Sequence, residues 1–225
     1  MLQRMVVRSL LGTALMGILL FGSAGTLAWP AGWLFLLSFC LYSLAIGLWL
    51  WRADPDLLAA RMKSPVSADQ RPFDRLVIVL IMAFFAAWLV LMAFDAERFG
   101  WSRVPPWVHA LGGGLVLVAF CGWVAVLRAN SFAAVTVQVQ QARHQTVISS
   151  GPYAAVRHPM YSFALLFALG VPLLLGSLWG LGGFLLITGL FVLRTVGEET
   201  VLRQGLAGYA DYQARVRYRL IPGVW

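Results

Sequence analysis

The stretch QTVISSGPYAAVRHPMY occupies residues 145–161 and is polar, although strongly apolar stretches lie on both sides of it. Pro159 predicts the start of a helix, because proline at a first helical position loses no intrahelical N–H bond. This places Arg157, His158 and Tyr161 at the mouth of an apolar helix. The free N–H groups and the positive dipole end of that helix favour an anionic ligand group.

The composition predicts an integral membrane protein of one domain. Of its 225 residues, 60% are hydrophobic and 12% are charged, whereas about a quarter of the residues of a soluble domain are charged. The net charge of +8 does not indicate nucleic-acid binding, because the basic residues lie in loops between apolar runs, where orientation in a bilayer explains them. Cys40 and Cys121 lie in apolar runs, and the scattered histidines lack metal-ligand spacing.

The apolar runs predict an all-α polytopic membrane bundle of about six transmembrane helices with a cytoplasmic C-terminal helix. The runs cover residues 9–29, 33–51, 76–94, 107–127, 160–175 and 178–196. The last two form a helical hairpin with a short first member. The first run is either a signal peptide or a membrane helix, and its length favours a helix. The glycines at 112–114 in the fourth run predict close contact with another helix.

Two polar segments show helical spacing of their apolar residues. Leu57, Leu58 and Met62 predict a short amphipathic helix on the membrane surface between the second and third spans. In the tail after residue 196, four residues lie near one helical face. They are Leu202, Leu206, Tyr209 and Tyr212.

The charge of the loops predicts the orientation. With six spans, only Arg98 and Arg103 lie in loops on one side, and the other loop and tail arginines lie on the opposite side. The positive-inside rule then places both termini, the segment 145–161 and the tail in the cytoplasm. We expect a multi-pass protein of the bacterial inner membrane.

Ionisable residues end the last predicted span. Arg194 and Glu198 are i,i+4 neighbours, and Glu199 follows. The simplest interpretation is an interfacial ion pair and one solvated glutamate. The hairpin, however, brings these residues close to residues 157–161. Together they provide an anion-binding helix end, a carboxylate for a cation, and the aromatic faces of Tyr153 and Tyr161.

The motifs GPYAAVRHPMY and R-x-x-x-E-E (residues 194–199), with the tail GYADYQARV, resemble the isoprenylcysteine carboxyl methyltransferase family. That family belongs to a wider group of membrane methyltransferases that includes the phospholipid methyltransferases. DPDLLAARM and RPFDRL also resemble a loop pattern of the bacterial members. The resemblance implies S-adenosylmethionine as methyl donor, bound without a Rossmann fold. The length and the apolar runs predict one integral membrane domain, with four spans in 1–127 and the cofactor-binding loop, hairpin and tail in 128–225.

The resemblance also implies roles for individual residues. Arg194 would bind a substrate carboxylate. Beside these implied roles, we predict Arg157 and Glu199 as further catalytic residues because they belong to the same cluster. Gln145 stands where the family has a histidine. The implied cofactor-binding residues are Gln138, Gln145, Thr146, Val147, Ile148, Tyr153, His158, Pro159, Met160, Tyr161 and Glu198.

Our leading hypothesis is methyl transfer to a lipophilic or lipid-tailed substrate that bears a carboxylate, an amine or a thiol. Two alternatives remain. The ending YRLIPGVW also resembles membrane sterol reductases, which use NADPH. A non-catalytic membrane scaffold or small transporter is the third possibility, although a transporter usually carries its ionisable residues near the midplane of the membrane.

Overall fold

The regular structure of the chain is helical throughout the described ranges, which are residues 1–64, 72–134 and 140–225 of a computed structural model. The α-helices are α1 Leu2–Ala24, α2 Pro30–Ala53, α3 Pro55–Arg61, α4 Pro72–Ala93, α5 Pro106–Ala129, α6 Pro159–Leu175, α7 Trp179–Gly205 and α8 Tyr209–Arg215. A π-helical turn, Phe94–Arg98, continues α4, and two 3-10 turns, Gln141–Arg143 and Gly151–Ala154, precede α6.

Five helical segments are long and apolar enough to cross a membrane, and α6 is a shorter apolar helix. The five segments are Leu2–Ala24, Pro30–Ala53, Arg75–Arg98, Pro106–Ala129 and Trp179–Gly205. This confirms the predicted all-α polytopic membrane bundle. The short helix is the first member of the hairpin, as the sequence predicts.

Several helix boundaries differ from the sequence prediction. The turn between the first two spans begins at Gly25, whose φ of 74° ends α1, and Pro30 is already the first residue of α2. In addition, α7 continues to Gly205 instead of ending near residue 196. Residues 197–205 include good helix formers, so the helix extends beyond its apolar part. Glu198 therefore lies within a helix, not after one.

Helices α5 and α6 form the most extensive helix pair of the bundle. Gly112 is buried in α5, and a Cβ atom there would overlap the backbone of Leu174 and Gly170 in α6. A Cβ atom on Gly114 would meet no atom within 4 Å. The predicted close contact is thus confirmed at Gly112. This contact sets the distance between α5 and α6, the helices before and after the polar segment 145–161.

A buried carboxylate joins three parts of the chain at the end of the bundle that carries the α6–α7 turn. One oxygen of Asp95, in the π-helical turn, accepts hydrogen bonds from Ser102 Oγ at 2.8 Å, Ser177 Oγ at 2.6 Å and the Trp179 N–H at 3.2 Å. The sequence places Asp95 at the start of a short loop. Its burial gives it a structural role in holding α4 to the start of α7.

The short helix predicted between the second and third spans is α3. Its Leu57 and Leu58 are buried and pack within the protein, whereas the sequence predicts that they face the membrane. They share a cluster with Met5, Leu50 and Leu127. Helix α3 is consequently fixed to the bundle at the end where α5 leaves the membrane.

The tail folds back onto the start of α6. Leu206, Tyr209, Tyr212 and Val216 form one buried cluster, which confirms the predicted apolar face of the tail. Beyond α8, backbone hydrogen bonds attach the chain to the residues that precede α6. The Arg157 N–H donates to the carbonyl of residue 218, and the His158 N–H to that of residue 219, both at 2.9 Å. The tail thereby covers the segment 145–161.

Candidate functional site

The ends of α6 and α7 that lie away from their connecting turn meet, as the sequence predicts. Tyr161, in the first turn of α6, donates a hydrogen bond to Glu198 Oε2 at 2.6 Å, and Nδ1 of His158 lies 3.8 Å from the same oxygen. Nε of Arg194 donates to the Tyr161 hydroxyl at 2.8 Å. The Tyr161 hydroxyl thus bridges the two residues that the sequence predicts as i,i+4 neighbours.

These residues line a cavity of about 340 Å³. The predicted site residues that line it are Gln145, Thr146, Val147, Ile148, Tyr153, Arg157, His158, Met160, Tyr161, Arg194 and Glu198. Pro159 is buried in the first turn of α6, and Glu199 lies behind the cavity wall. Gln138 lies outside the described residues. The cavity therefore unites the segment 145–161 with the half of α7 that contains Arg194 and Glu198.

Gln145 and His144 are adjacent in the chain, but only Gln145 lines the cavity. The Gln145 side-chain oxygen accepts a hydrogen bond from the Gln140 N–H at 2.8 Å, which fixes the side chain across the turn. His144 is exposed and adopts a left-handed φ of 48°. The cavity wall therefore carries a neutral amide at this position.

Arg157, which lines the cavity, forms a buried ion pair with Glu199, which does not. Nε of Arg157 donates to Glu199 Oε1 at 2.6 Å, and their side chains are only 6% and 4% exposed. Nη1 of Arg157 also donates to the carbonyls of Val216 and Arg217, both at 2.8 Å. The interpretation of one glutamate as solvated is wrong for Glu199. These contacts fit a structural role, and the catalytic role stays a prediction.

The start of α6 offers an anion fewer free N–H groups than the sequence predicts. Pro159 has no N–H, and the Tyr161 N–H donates to the carbonyl of His158 at 3.0 Å. Ser162 Oγ donates to the carbonyl of Leu220 at 2.6 Å, so the tail occupies one side of this helix end. An anion in the cavity would therefore depend mainly on side chains.

Three tyrosines, Tyr153, Tyr209 and Tyr212, contribute to the polar lining of the cavity. The Tyr153 hydroxyl accepts a hydrogen bond from Asn130 Nδ2 at 2.8 Å, and the Tyr212 hydroxyl donates to the carbonyl of Tyr153 at 2.8 Å. Burial raises the pKa of Tyr153 to about 12, so its hydroxyl stays protonated at neutral pH. Burial likewise raises the pKa of Tyr209.

Sequence reasoning gave Tyr209 and Tyr212 only a packing role, and it did not identify Asn130 or Arg61. All four line the cavity. The spacing of Tyr209 and Tyr212 on one face of the tail predicts that they are buried together, but it does not predict that they line the cavity. Nothing in the local sequence placed Asn130 or Arg61 beside residues that lie far from them in the chain.

The remaining wall is apolar and comes from the membrane spans. Ile78, Ile81 and Met82 of α4 and Phe191 of α7 line the cavity. Ile78 is buried, whereas Met82 is 54% exposed, so this wall extends to the outer surface of the helix bundle. The cavity thus combines a polar end near the tail with an apolar end next to the surface that would face lipid.

Residues 107–207 match the family model described as phospholipid methyltransferase. The match runs from the start of α5 to just beyond α7 and contains every predicted site residue. It confirms the wider membrane methyltransferase group to which the motifs point, and it supports a methyltransferase that lies in a membrane. A comparison with curated proteins gives no match. The cavity residues of α3, α4 and α8 lie outside the matched segment.

Proposed function

We propose that this chain, with its phospholipid methyltransferase match over residues 107–207, is an S-adenosylmethionine-dependent enzyme that methylates a lipophilic or lipid-tailed substrate. One observation carries the proposal. A single cavity brings the segment 145–161 together with Arg194 and Glu198, which are the residues that the family resemblance relates to the cofactor and the substrate.

The residues of the cavity fit a cofactor that carries amino, carboxylate and aromatic groups. Among the described side chains, the buried hydroxyl of Tyr209 has no hydrogen-bond partner, and buried polar atoms normally have one. Glu198 offers a carboxylate to an ammonium group, and Gln145 and Thr146 add neutral polar groups. The ring of Tyr153, which is half-buried, offers a face for a planar or cationic group.

The chain's part in the reaction would be positioning. When bound, S-adenosylmethionine supplies a methyl group on a positively charged sulfur, and transfer is an in-line displacement that needs little covalent help. Glu198 would hold the amino group, and the hydrogen bond from Tyr161 would fix the Glu198 carboxylate. An aromatic face near the sulfonium contributes on the order of 0.5–2 kcal/mol. Correct placement and exclusion of water supply most of the catalysis.

The methyl acceptor would enter from the apolar end of the cavity. Its lipophilic part would lie along Ile78 and Ile81, and Arg194 would hold an anionic group bidentately. Because Tyr161 contacts both Arg194 and Glu198, it would set the distance between acceptor and donor. A carboxyl acceptor, as in isoprenylcysteine methyltransferases, fits this arrangement, and an amine or thiol acceptor is the alternative.

The site would face the cytoplasm. The same end of the bundle carries the N-terminus, α3 and the tail, since Arg8 bonds to the carbonyl of Met62 and Arg143 lies 3.9 Å from Asp54. This end holds most of the arginines outside the spans. The positive-inside rule then supports a multi-pass protein of a bacterial inner membrane, with the cofactor reaching the site from the cytoplasm.

Binding of the cofactor product tests the proposal directly. S-adenosylhomocysteine is titrated into the purified chain in detergent and in lipid nanodiscs, and heat release is measured. We expect saturable binding to the natural chain and at least about tenfold weaker binding to Glu198→Gln, since the variant loses a charge-assisted contact. Asp211→Asn, an exposed carboxylate of α8, serves as the matched control and should bind normally.

Methyl transfer is then measured with S-adenosylmethionine carrying a tritiated methyl group and a bacterial membrane lipid extract. Label is expected in the organic phase with the natural chain and the control, and not with Glu198→Gln. Absence of binding by the natural chain in both detergent and lipid would refute the proposal. Saturable NADPH binding in its place would favour the reductase alternative.

A further inference from the structure

Arg61 is the last residue of α3 and lines the same cavity as the proposed cofactor residues. Its Nη1 donates to the carbonyl of Ala133 at 2.8 Å, which fixes the guanidinium against the chain that leaves α5. The side chain is partly buried. It lies outside the segment 107–207 that matches the methyltransferase family, so the match assigns it no role.

Among the side chains that the structure describes, none gives the Arg61 guanidinium an anionic partner. The ion pairs among these described side chains join other residues, and none of them includes Arg61. The other cavity arginine at the tail side, Arg157, is already neutralised by Glu199 at 2.6 Å. Burial lowers the pKa of Arg61, but an arginine remains charged in proteins. A partly buried cation keeps only part of its hydration and gains from a nearby anion, so the position favours a bound anion.

The surroundings of Arg61 define the shape of that ligand. The next helix along the chain after α3 is α4, and its apolar residues Ile78 and Ile81 line the same cavity as Arg61. A guanidinium binds carboxylate and phosphate oxygens through two parallel hydrogen bonds. We propose that Arg61 binds the anionic headgroup, a carboxylate or a phosphate, of a lipid-tailed substrate whose apolar tail lies along α4.

This inference rests on the proposed function and makes its substrate class specific. A headgroup that carries only an amine would add a third positive charge to the cavity that Arg61 and Arg194 line, and like charges at close range disfavour binding. An amine acceptor is compatible only if the same molecule carries an anionic group. Arg61, at the end of α3, would therefore select for an anionic headgroup of the substrate, while the residues of 145–161 hold the cofactor.

The test uses three single-chain amphiphiles with the same tail length, laurate, dodecyl phosphate and dodecyltrimethylammonium. Each is titrated into the purified full chain in a non-ionic detergent, and the rise in unfolding temperature gives its affinity, because a ligand that binds the folded state stabilises it. The variant is Arg61→Gln. The control is Arg52→Gln, which removes one arginine that is exposed at the end of α2 and does not line the cavity.

We expect an anionic amphiphile to bind the natural chain and Arg52→Gln alike, and to bind Arg61→Gln at least about tenfold more weakly. Comparison of laurate with dodecyl phosphate identifies the preferred headgroup. Equal binding of the anions by Arg61→Gln, or equal binding of the cationic amphiphile by the natural chain, overturns the proposal. If Arg61→Gln does not fold, Arg61→Lys is measured instead, and it should weaken anion binding several-fold through loss of the planar donor pair. Unchanged affinity in that variant also overturns it.

S-adenosylhomocysteine binding is measured in parallel on every variant. It should be unchanged by Arg61→Gln, because the cofactor residues lie on other elements. Loss of anion binding with retained cofactor binding supports the inference. Absence of cofactor binding in the natural chain would instead refute the proposed function, while the anion titrations would still report on Arg61.

Discussion

Replacement of Glu199 by glutamine separates a structural role from a catalytic one. The carboxylate accepts hydrogen bonds from Arg157 Nε at 2.6 Å and from Arg219 Nε at 3.1 Å. Arg157 in turn holds two carbonyls of the tail. The change Glu199→Gln keeps the shape of the side chain and removes its charge, so Arg157 is left as a buried cation that only carbonyls contact.

The expected magnitude follows from the burial of each partner. Removing one member of a buried ion pair destabilises a protein by about 3–5 kcal/mol, and the Arg157 and Glu199 side chains are 6% and 4% exposed. The Arg219 side chain is 29% exposed, so solvent screens its contact and we assign it at most about 1 kcal/mol. We therefore expect the tail to open at least about 3 kcal/mol more easily in the variant.

Hydrogen exchange of backbone amides, read by mass spectrometry, measures this opening. The N–H groups of Arg157 and His158 donate to carbonyls of the tail, so they exchange only when the tail separates. A change of about 3 kcal/mol corresponds to exchange roughly a hundredfold faster at these positions. Asp211→Asn, on the same tail but exposed, should leave the exchange rate unchanged.

A double variant sharpens the result. Arg157→Gln combined with Glu199→Gln leaves no buried charge without a partner, so it should be less destabilised than the sum of the two single changes. Unchanged exchange in Glu199→Gln together with complete loss of methyl transfer would refute the structural reasoning. It would show that Glu199 acts on the reacting groups, as the sequence predicts.

Two further changes test the fold away from the cavity. Gly112→Ala should destabilise the chain by about 1–3 kcal/mol in thermal unfolding, because its Cβ would overlap the backbone of Gly170. Gly114→Ala has open space around it and should be neutral or slightly stabilising. Equal stability of the two variants would contradict the close helix contact. Asp95→Ala should cost about 3 kcal/mol, since it leaves three donors without their acceptor. The exposed Asp56→Ala should have no effect, and an equally stable Asp95→Ala would contradict the structural role of this carboxylate.

The sequence is informative about the parts of this fold that depend on neighbouring residues. The apolar runs predict the spans because a bilayer requires about 20 apolar residues per helix. The break at residues 176–177 predicts the hairpin, and a hairpin necessarily returns residue 198 close to residue 158. The contact of Glu198 with Tyr161 at 2.6 Å is thus a consequence of chain connectivity, which the sequence contains.

Contacts made across long sequence separations were not predictable in the same way. Arg61 and Ala133 are 72 residues apart, and no local pattern indicates that α3 packs against the end of α5. The apolar face of α3 is equally compatible with a membrane surface and with a protein core, because both are apolar. The sequence predicts that such a helix forms, and the packing of the whole bundle decides where its last residue lies.

The adjacent residues Glu198 and Glu199 show how one step along a helix changes the role of identical side chains. Successive residues point about 100° apart around an α-helix, so the two carboxylates cannot share one environment. Glu198 faces the cavity and receives the Tyr161 hydroxyl, whereas Glu199 faces Arg157 and the tail. A motif that reads E-E contains no information about which face is covered, because the covering residues come from beyond α8. The position of the tail therefore decides which glutamate remains available to a ligand, and variants that detach the tail should impair the site even though they leave Glu198 in place.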